Sequence, residues 1–139
     1  MKKRTIRIIA IIFALTLILS TVAFAAMNAS AYINATSAWI ERDGNTVEVD
    51  FYIVGTDTMD QIGIKYIYLY EEIDHGWRLV KTFAYTNPLY TNMMDSNTSA
   101  HASYVTYNGS ASKSYYADCR FYAEKDGGSD TYQQYTPIG

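Results

Sequence analysis

The chain has little of several residue types on which exported proteins and enzymes often depend: its 139 residues include one cysteine, two histidines and two prolines. Because Cys119 is the single cysteine, no internal disulfide can form and no cysteine cluster can bind zinc. Cys119 alternates with apolar neighbours, so we expect it to face the core. His75 and His101 are too far apart in sequence for a helical zinc pair. Neither lies in a recognisable nucleophile motif such as G-x-S-x-G. We therefore expect no enzymatic activity, no metal centre and no cofactor.

The start of the chain has the three parts of a secretory signal peptide. Four basic residues lie within the first seven positions, an apolar run covers residues 8–19, and small residues end the run at Ala23-Phe24-Ala25. We predict a signal-peptide helix over residues 1–25, with cleavage between Ala25 and Ala26. The protein is then expected to be secreted.

Two alternatives to this cleavage stay open. Ala29-Ser30-Ala31 is a second ending of the same type. The apolar run also approaches the length of a membrane span, so an uncleaved anchor is the other possibility. The small residues after the run, and the lack of a basic stop-transfer cluster, favour cleavage. Contact with a membrane is then expected only through the signal peptide before it is removed.

Basic residues are also scarce in the rest of the chain. Four of the 11 basic residues precede the cut, which leaves seven against 14 acidic residues and a formal net charge of about −7 in residues 26–139. This balance argues against nucleic-acid binding, which needs a basic surface. The remaining length of about 114 residues fits one domain that buries a core without disulfides.

The segment after the signal peptide is rich in the residues that favour strands, and turn residues are regularly spaced along it. The clearest strand is residues 46–54, where Val47, Val49, Phe51 and Ile53 alternate with polar side chains. A long polar segment, residues 89–100, is expected to cross from one sheet to another. The pattern predicts seven strands: residues 32–40, 46–54, 62–72, 77–85, 101–107, 114–125 and 129–136.

These strands predict an all-β fold, a single antiparallel β-sandwich of about seven strands of the immunoglobulin or fibronectin type III kind. The lone cysteine departs from the immunoglobulin disulfide and favours the fibronectin-like connection. A small barrel is the main alternative. Sandwiches of this kind often contain a tyrosine corner near the start of the sixth strand, and Tyr115 or Tyr116 could form it.

Several short motifs occur together in this chain and carry a resemblance. The first three are Thr58-Met59-Asp60-x-Ile62-Gly63, Ile67-Tyr68-Leu69-Tyr70-Glu71 and Gly76-Trp77-x-x-Val80-x-Thr82. The others are Met93-Met94, His101, Tyr107-x-Gly109, Tyr115-Tyr116-Ala117, Phe121-Tyr122-Ala123 and Gly128-Ser129-Asp130. With these motifs the chain resembles a family of short secreted proteins of unknown function from Gram-positive, clostridia-like bacteria. The resemblance implies a secreted bacterial β-domain and carries over no catalytic residue.

Tyrosine is abundant, with 14 residues in the chain. In the third predicted strand Tyr66, Tyr68 and Tyr70 share one face, while Ile67 and Leu69 share the other. If the aliphatic pair faces the core, the three tyrosines form a ladder on the outside with a step of about 7 Å.

The sixth predicted strand repeats this arrangement. Tyr116, Arg120 and Tyr122 lie opposite the face of Cys119, so they too are expected to point outward. The third and sixth strands are neighbours in a fibronectin-like sheet. Tyr132 or Tyr135 could extend the aromatic surface from the last strand.

This pattern gives two interpretations of the tyrosines. They could simply stabilise the sheet through cross-strand aromatic pairs. They could also form a flat binding face for an extracellular glycan or protein partner. We take a secreted, non-enzymatic binding or interaction module as the leading hypothesis. The alternatives are a bacteriocin-like or toxin-like peptide, for which an acidic chain is poorly suited, and a self-assembling surface protein with an unpaired edge strand.

Overall fold

The computed structural model describes residues 30–139, and within them Ala31–Gly139 form one compact unit. The predicted signal peptide, residues 1–25, and its cleavage site between Ala25 and Ala26 lie outside the described residues. In the part of the chain that is described, no helix has the length and hydropathy needed to span a bilayer.

The described residues form strands almost throughout. Seven long strands, one two-residue strand and one 3-10 helix follow each other along residues 30–139. In chain order they are β1 (Ile33–Asp43), β2 (Thr46–Met59), β3 (Gln61–Ile73), β4 (Gly76–Ala84), the 3-10 helix (Pro88–Met93), β5 (Met94–Asp95), β6 (Thr98–Asn108), β7 (Tyr115–Lys125) and β8 (Gly128–Tyr135). All seven predicted strands are confirmed. β2 runs further than predicted, because Met59 is buried and pairs with Thr98 beyond an irregularity in the ladder.

These strands form two antiparallel sheets. One has three strands in the order β1-β2-β6, and the other has the order β4-β3-β7-β8, with β5 added beside β3. Two separate sheets describe a sandwich-like all-β fold and not the small barrel considered as an alternative. The prediction that the third and sixth long strands are neighbours is confirmed by the β3–β7 pairing.

The core lies between the inner faces of the two sheets. It is built by the alternate apolar residues of three central strands, which are fully or almost fully buried. They are Val47, Val49, Phe51 and Ile53 of β2, Ile62, Ile64, Ile67 and Leu69 of β3, and Ala117, Cys119, Phe121 and Ala123 of β7. Cys119 is therefore a core residue, and burial raises the pKa of its thiol to about 12.

The segment between β4 and β6 crosses from the five-stranded to the three-stranded sheet, as expected. Asn87 caps its 3-10 helix by accepting a hydrogen bond from the Leu89 amide at 3.0 Å, and Pro88 supplies the first residue. The segment then packs closely on Gly63 of β3. A Cβ atom at Gly63 would lie 2.2 Å from the Met93 carbonyl oxygen, so only glycine permits this approach.

A tyrosine corner fixes the connection from β6 to β7. The Ser110 amide donates a hydrogen bond to the Tyr115 hydroxyl at 2.8 Å, and that hydroxyl donates to Glu71 Oε2 at 2.6 Å. Tyr115 is fully buried, whereas Tyr116 lies on the opposite face of β7. The structure thus selects Tyr115 from the two candidates.

Candidate functional site

The outer face of the five-stranded sheet carries the predicted tyrosines. Tyr66, Tyr68 and Tyr70 alternate along β3 with Ile67 and Leu69, which have no solvent exposure. The exposed fraction of Tyr66 is 37%, and Tyr68 and Tyr70 are half-buried. The predicted orientation of β3 is therefore confirmed.

A β-bulge at Lys65 sets this orientation. Ile64 pairs with Phe121 and Tyr66 pairs with Arg120, so Lys65 is one extra residue on β3. Because of this extra residue, Ile64 and Ile67 both face the core although they are three positions apart. Lys65 and Tyr66 are consequently placed side by side next to β7.

These residues line an open groove on the outer face of the sheet, with a volume of about 550 Å³. The volume is within the range of roughly 300–1,000 Å³ common for small-molecule sites. We call this cavity the aromatic groove, and its lining residues are Lys65, Tyr66, Tyr68, Tyr70, Leu79, Asp118, Arg120 and Thr131. Four of the six predicted binding residues, Tyr66, Tyr68, Tyr70 and Arg120, thus come together.

The tyrosine rings of β3 are held by stacking. The rings of Tyr66 and Tyr68 are nearly parallel, with centroids 6.0 Å apart. Tyr70 stacks on Tyr116 of β7 with a centroid distance of 4.8 Å. Tyr116, the fifth predicted residue, therefore lies beside the groove and supports one of its walls. Burial raises the pKa of its phenol.

Two further aromatic residues extend this cluster across the sheet. Trp77 of β4 meets Tyr116 edge-on at 4.8 Å, and Tyr135 of β8 lies 6.2 Å from the same ring. Of the two residues proposed to extend the surface from the last strand, Tyr135 does so. Tyr132 pairs with the core residue Phe121, so it belongs to the opposite face of β8.

A charged pair lies in the groove beside Tyr68. Arg120 donates to both carboxylate oxygens of Asp118, from Nε at 3.0 Å and from Nη2 at 2.8 Å. Gln133 donates a third hydrogen bond to the same carboxylate at 3.0 Å. The Asp118 carboxylate raises the pKa of the Arg120 guanidinium. Asp118 is only 5% exposed, while the Arg120 side chain is 38% exposed, so the cation and not the anion faces solvent.

The sixth predicted residue, Tyr122, requires a correction. It lies on the outer face, as expected, but only 7% of it is exposed. The Lys65 ammonium lies 3.5 Å above its ring, and its hydroxyl bonds to the Glu124 carboxylate. Burial, with a further contribution from Glu124, raises the pKa of the Tyr122 phenol. Tyr122 therefore lies beneath Lys65 and is not part of the lining of the aromatic groove.

Sequence reasoning missed four residues of the groove: Lys65, Leu79, Asp118 and Thr131. Asp118 was within reach, since it shares the outer face of β7 with Tyr116 and Arg120. Thr131 enters the groove through its pairing with Tyr122, which the sequence does not show. Leu79 lies opposite Tyr70 only because Val80 forms a second bulge, on the edge strand β4. Lys65 likewise enters the groove through a bulge.

A second cluster lies on the outer face of the three-stranded sheet. One carboxylate oxygen from each of Glu41, Glu48 and Asp50 lies within 4.8 Å of the others. Burial, together with repulsion from Glu48 and Glu41, raises the pKa of Asp50 to about 6. The three carboxylates repel one another across the β1–β2 hairpin, in which Glu41 pairs with Glu48. We therefore regard the cluster as an electrostatic strain on the sheet.

The two histidines lie apart from the aromatic groove. His75 is exposed in the turn between β3 and β4. His101 of β6 bonds through Nε2 to the Asn92 carbonyl oxygen at 2.7 Å, and its Nδ1 lies 3.6 Å from Asp95. His101 thus attaches the crossing segment to the three-stranded sheet.

Comparison with known proteins gives no family for this chain. No family model matches it, and no curated protein matches it. Among solved structures it is similar to the sporulation control protein Spo0M of Bacillus subtilis, with a TM-score of 0.41 and 12% identity over 77% of this chain. The chain spans about half of Spo0M, 49% of its length.

A second solved structure is the hypothetical protein PH1083 of Pyrococcus horikoshii OT3. The TM-score is 0.35 and the identity 18%, over 74% of this chain and 88% of that protein. Both similarities are too distant to inform function, which has to be argued from the aromatic groove itself.

Proposed function

We propose that this protein is an exported, non-enzymatic binding protein that holds an extracellular saccharide in the aromatic groove. The observation that carries the proposal is the alignment of Tyr66, Tyr68 and Tyr70 along one open cavity of about 550 Å³. Polar groups of Arg120 and Thr131 line the same cavity as the three rings.

A saccharide suits such a surface for a physical reason. A sugar ring has apolar faces made of C–H groups and an edge of hydroxyl groups. Aromatic rings cover the faces, and a few placed polar groups satisfy the edge. Tyrosine offers both functions in one side chain, with little entropy to lose on binding.

Several side chains of the groove are held in place by their neighbours. Its tyrosines lie on a paired strand, and Tyr70 is held against Tyr116 by stacking. Asp118 fixes the guanidinium of Arg120 with two hydrogen bonds. A site whose side chains are held in this way loses less entropy when it binds a ligand.

The type of β-sandwich and the export of the chain belong to the same proposed function. The strand order β1-β2-β6 and β4-β3-β7-β8, together with the Tyr115 corner, supports a sandwich of the fibronectin type III kind. The signal-peptide pattern of residues 1–25 supports export, and the motif resemblance supports a place among short secreted bacterial proteins.

Native affinity electrophoresis tests the proposal. Protein expressed from the full-length gene is run through gels that contain single soluble polysaccharides, both neutral and acidic. We expect retardation by at least one polysaccharide, and we expect Tyr68→Ala to lose it. Tyr104→Ala is the matched control, because Tyr104 is 52% exposed on the outer face of the other sheet.

Two results would contradict the proposal. One is unchanged migration of the wild-type protein in every polysaccharide. The other is equal retardation of the wild-type protein and a folded Tyr68→Ala variant.

A further inference from the structure

We infer that the aromatic groove selects saccharides that bear a carboxylate, such as a polyuronate. The inference rests on the proposed function and specifies its ligand. It follows from the cations that the groove presents beside its tyrosine rings.

Arg120 has donors to spare. A guanidinium carries five N–H donors, and Asp118 engages Nε and Nη2 on one edge. Among the described residues, Nη1 has no hydrogen-bond partner. The free edge of Nη1 and Nη2 can therefore hold a second carboxylate in the bidentate geometry for which arginine is best suited.

Lys65 is a second available cation at the groove. Its ammonium is placed over the Tyr122 ring and makes no ion pair with another residue of the described part of the chain. The bulge places Lys65 on β3 directly before Tyr66, whose partner on β7 is Arg120. Both cations line the same cavity.

The groove thus differs in charge from the rest of the molecule. Acidic residues outnumber basic ones by 14 to 11 in the whole chain. The lining of the groove contains two basic residues and one acidic residue, Asp118, which is buried and already paired with Arg120. An anionic ligand in the groove would therefore meet a local excess of positive charge, which a neutral ligand would not exploit.

The position of Arg120 relative to a tyrosine specifies the ligand further. The guanidinium carbon lies 6.0 Å from the centre of the Tyr68 ring. Because the guanidinium lies over this ring, a sugar ring that contacts the exposed edge of Tyr68 would bring a carboxylate on its own edge towards the free side of Arg120. A uronic acid residue has this arrangement of an apolar face with a carboxylate at its edge.

Polygalacturonate and its fully methyl-esterified form provide a matched pair of ligands, since they differ only at the carboxyl group, which is a charged carboxylate in the first and a neutral methyl ester in the second. Binding of both to the full protein is measured by isothermal titration calorimetry, with neutral galactan and dextran sulfate as further arms. We expect polygalacturonate to bind at least about tenfold more tightly than the methyl ester, which corresponds to about 1.4 kcal/mol. The preference should weaken as salt is added.

Protein variants provide the second half of the test. Lys65→Gln and Arg120→Gln should each reduce the preference for the free acid, and Arg120→Lys should not restore it because lysine lacks the planar fork. Lys113→Gln removes one charge outside the groove and should bind as the wild type does. Lys65→Gln leaves the Asp118 pair intact, so it remains informative if Arg120→Gln fails to fold.

The outcomes separate this inference from the proposed function. Equal binding of polygalacturonate and its methyl ester would overturn the inference and leave saccharide binding standing. Equal binding of dextran sulfate and polygalacturonate would also overturn it, because charge alone would then explain recognition. Absence of binding to every polysaccharide would overturn both.

Discussion

Tyr70 and Tyr116 lie face to face across the β3–β7 ladder, with ring planes 7° from parallel and centroids 4.8 Å apart. Each residue is the direct cross-strand partner of the other. The contact joins the two central strands of the five-stranded sheet on its solvent side, while Leu69 and Ala117 join them on the core side. The outer aromatic layer therefore contributes to stability as well as to the groove.

The contacts in this layer predict that Tyr116→Ala measurably lowers the stability of the fold. Tyr116 contacts Tyr70, Trp77 and Tyr135, so its removal should lower the free energy of unfolding by about 1.5–3 kcal/mol. Urea unfolding followed by tryptophan fluorescence measures the change. Tyr104→Ala, at an exposed position of the other sheet, should cost about 1 kcal/mol or less. Equal losses in the two variants would show that the aromatic contacts contribute nothing specific.

The tyrosine corner predicts a second change in stability. Tyr115→Phe removes a hydroxyl that donates to Glu71 and accepts from Ser110, and should cost about 1.5–3 kcal/mol at neutral pH. Tyr107→Phe is the control, since the Tyr107 hydroxyl has no hydrogen-bond partner among the described residues. A cost for Tyr115→Phe no greater than that of the control would contradict the assigned role.

The same bond has a pH dependence of known sign. The Tyr115 hydroxyl holds the pKa of Glu71 below its ordinary value of 4.5. The stability that this bond supplies is present above that value and is lost as pH falls through the folded-state pKa. The difference between wild type and Tyr115→Phe should thus shrink on acidification, as measured by urea unfolding at a series of pH values.

The acidic cluster predicts a gain in stability. The pKa of Asp50 is raised from 3.8 to about 6, so the folded chain binds more protons than the unfolded chain between these values. Stability therefore falls as pH rises through this window. Asp50→Asn should raise the midpoint of thermal unfolding at pH 7 by an amount that corresponds to less than about 1 kcal/mol, because water partly screens the cluster. Asp74→Asn, in an exposed turn, should leave the midpoint unchanged, and a loss of stability in Asp50→Asn would refute the argument.

The close approach at Gly63 predicts a local effect on the crossing segment. Gly63→Ala places a methyl group against the Met93 carbonyl and should cost about 1–3 kcal/mol. It should also speed proteolysis within residues 88–97. Gly44→Ala meets no atom within 4 Å and should cost about 1 kcal/mol, through its positive φ of 57° alone. If Gly63→Ala is no worse than Gly44→Ala and no more sensitive to protease, the packing of this segment does not depend on the glycine.

Much of the fold and the centre of the groove could be predicted from alternation alone. Val47 and its alternate neighbours identify β2, and Ile67 with Leu69 identifies the buried side of β3, which sends Tyr68 outward. The position of Tyr115 was available from the same rule, because it shares the core face of β7 with Ala117. These features follow from the two-residue period of a strand and need no tertiary information.

The remaining features depend on contacts between strands. The outward orientation of Tyr122 was correctly predicted, but its burial results from Lys65, which the bulge places above its ring. A bulge inserts one residue and leaves no composition signal, although the change of phase between Ile64 and Ile67 records it. The acidic cluster required the register of the β1–β2 hairpin, in which Glu41 faces Glu48.

The buried thiol of Cys119 is a built-in probe of how often the two sheets separate. Cys119 lies on a central strand with neighbours on both sides, sealed between the layers and without solvent contact. A thiol-modifying reagent can reach the sulfur only after the layers separate. When modification is faster than reclosing, the observed rate equals the rate at which the domain opens, and this rate can be read on the wild-type protein without a label.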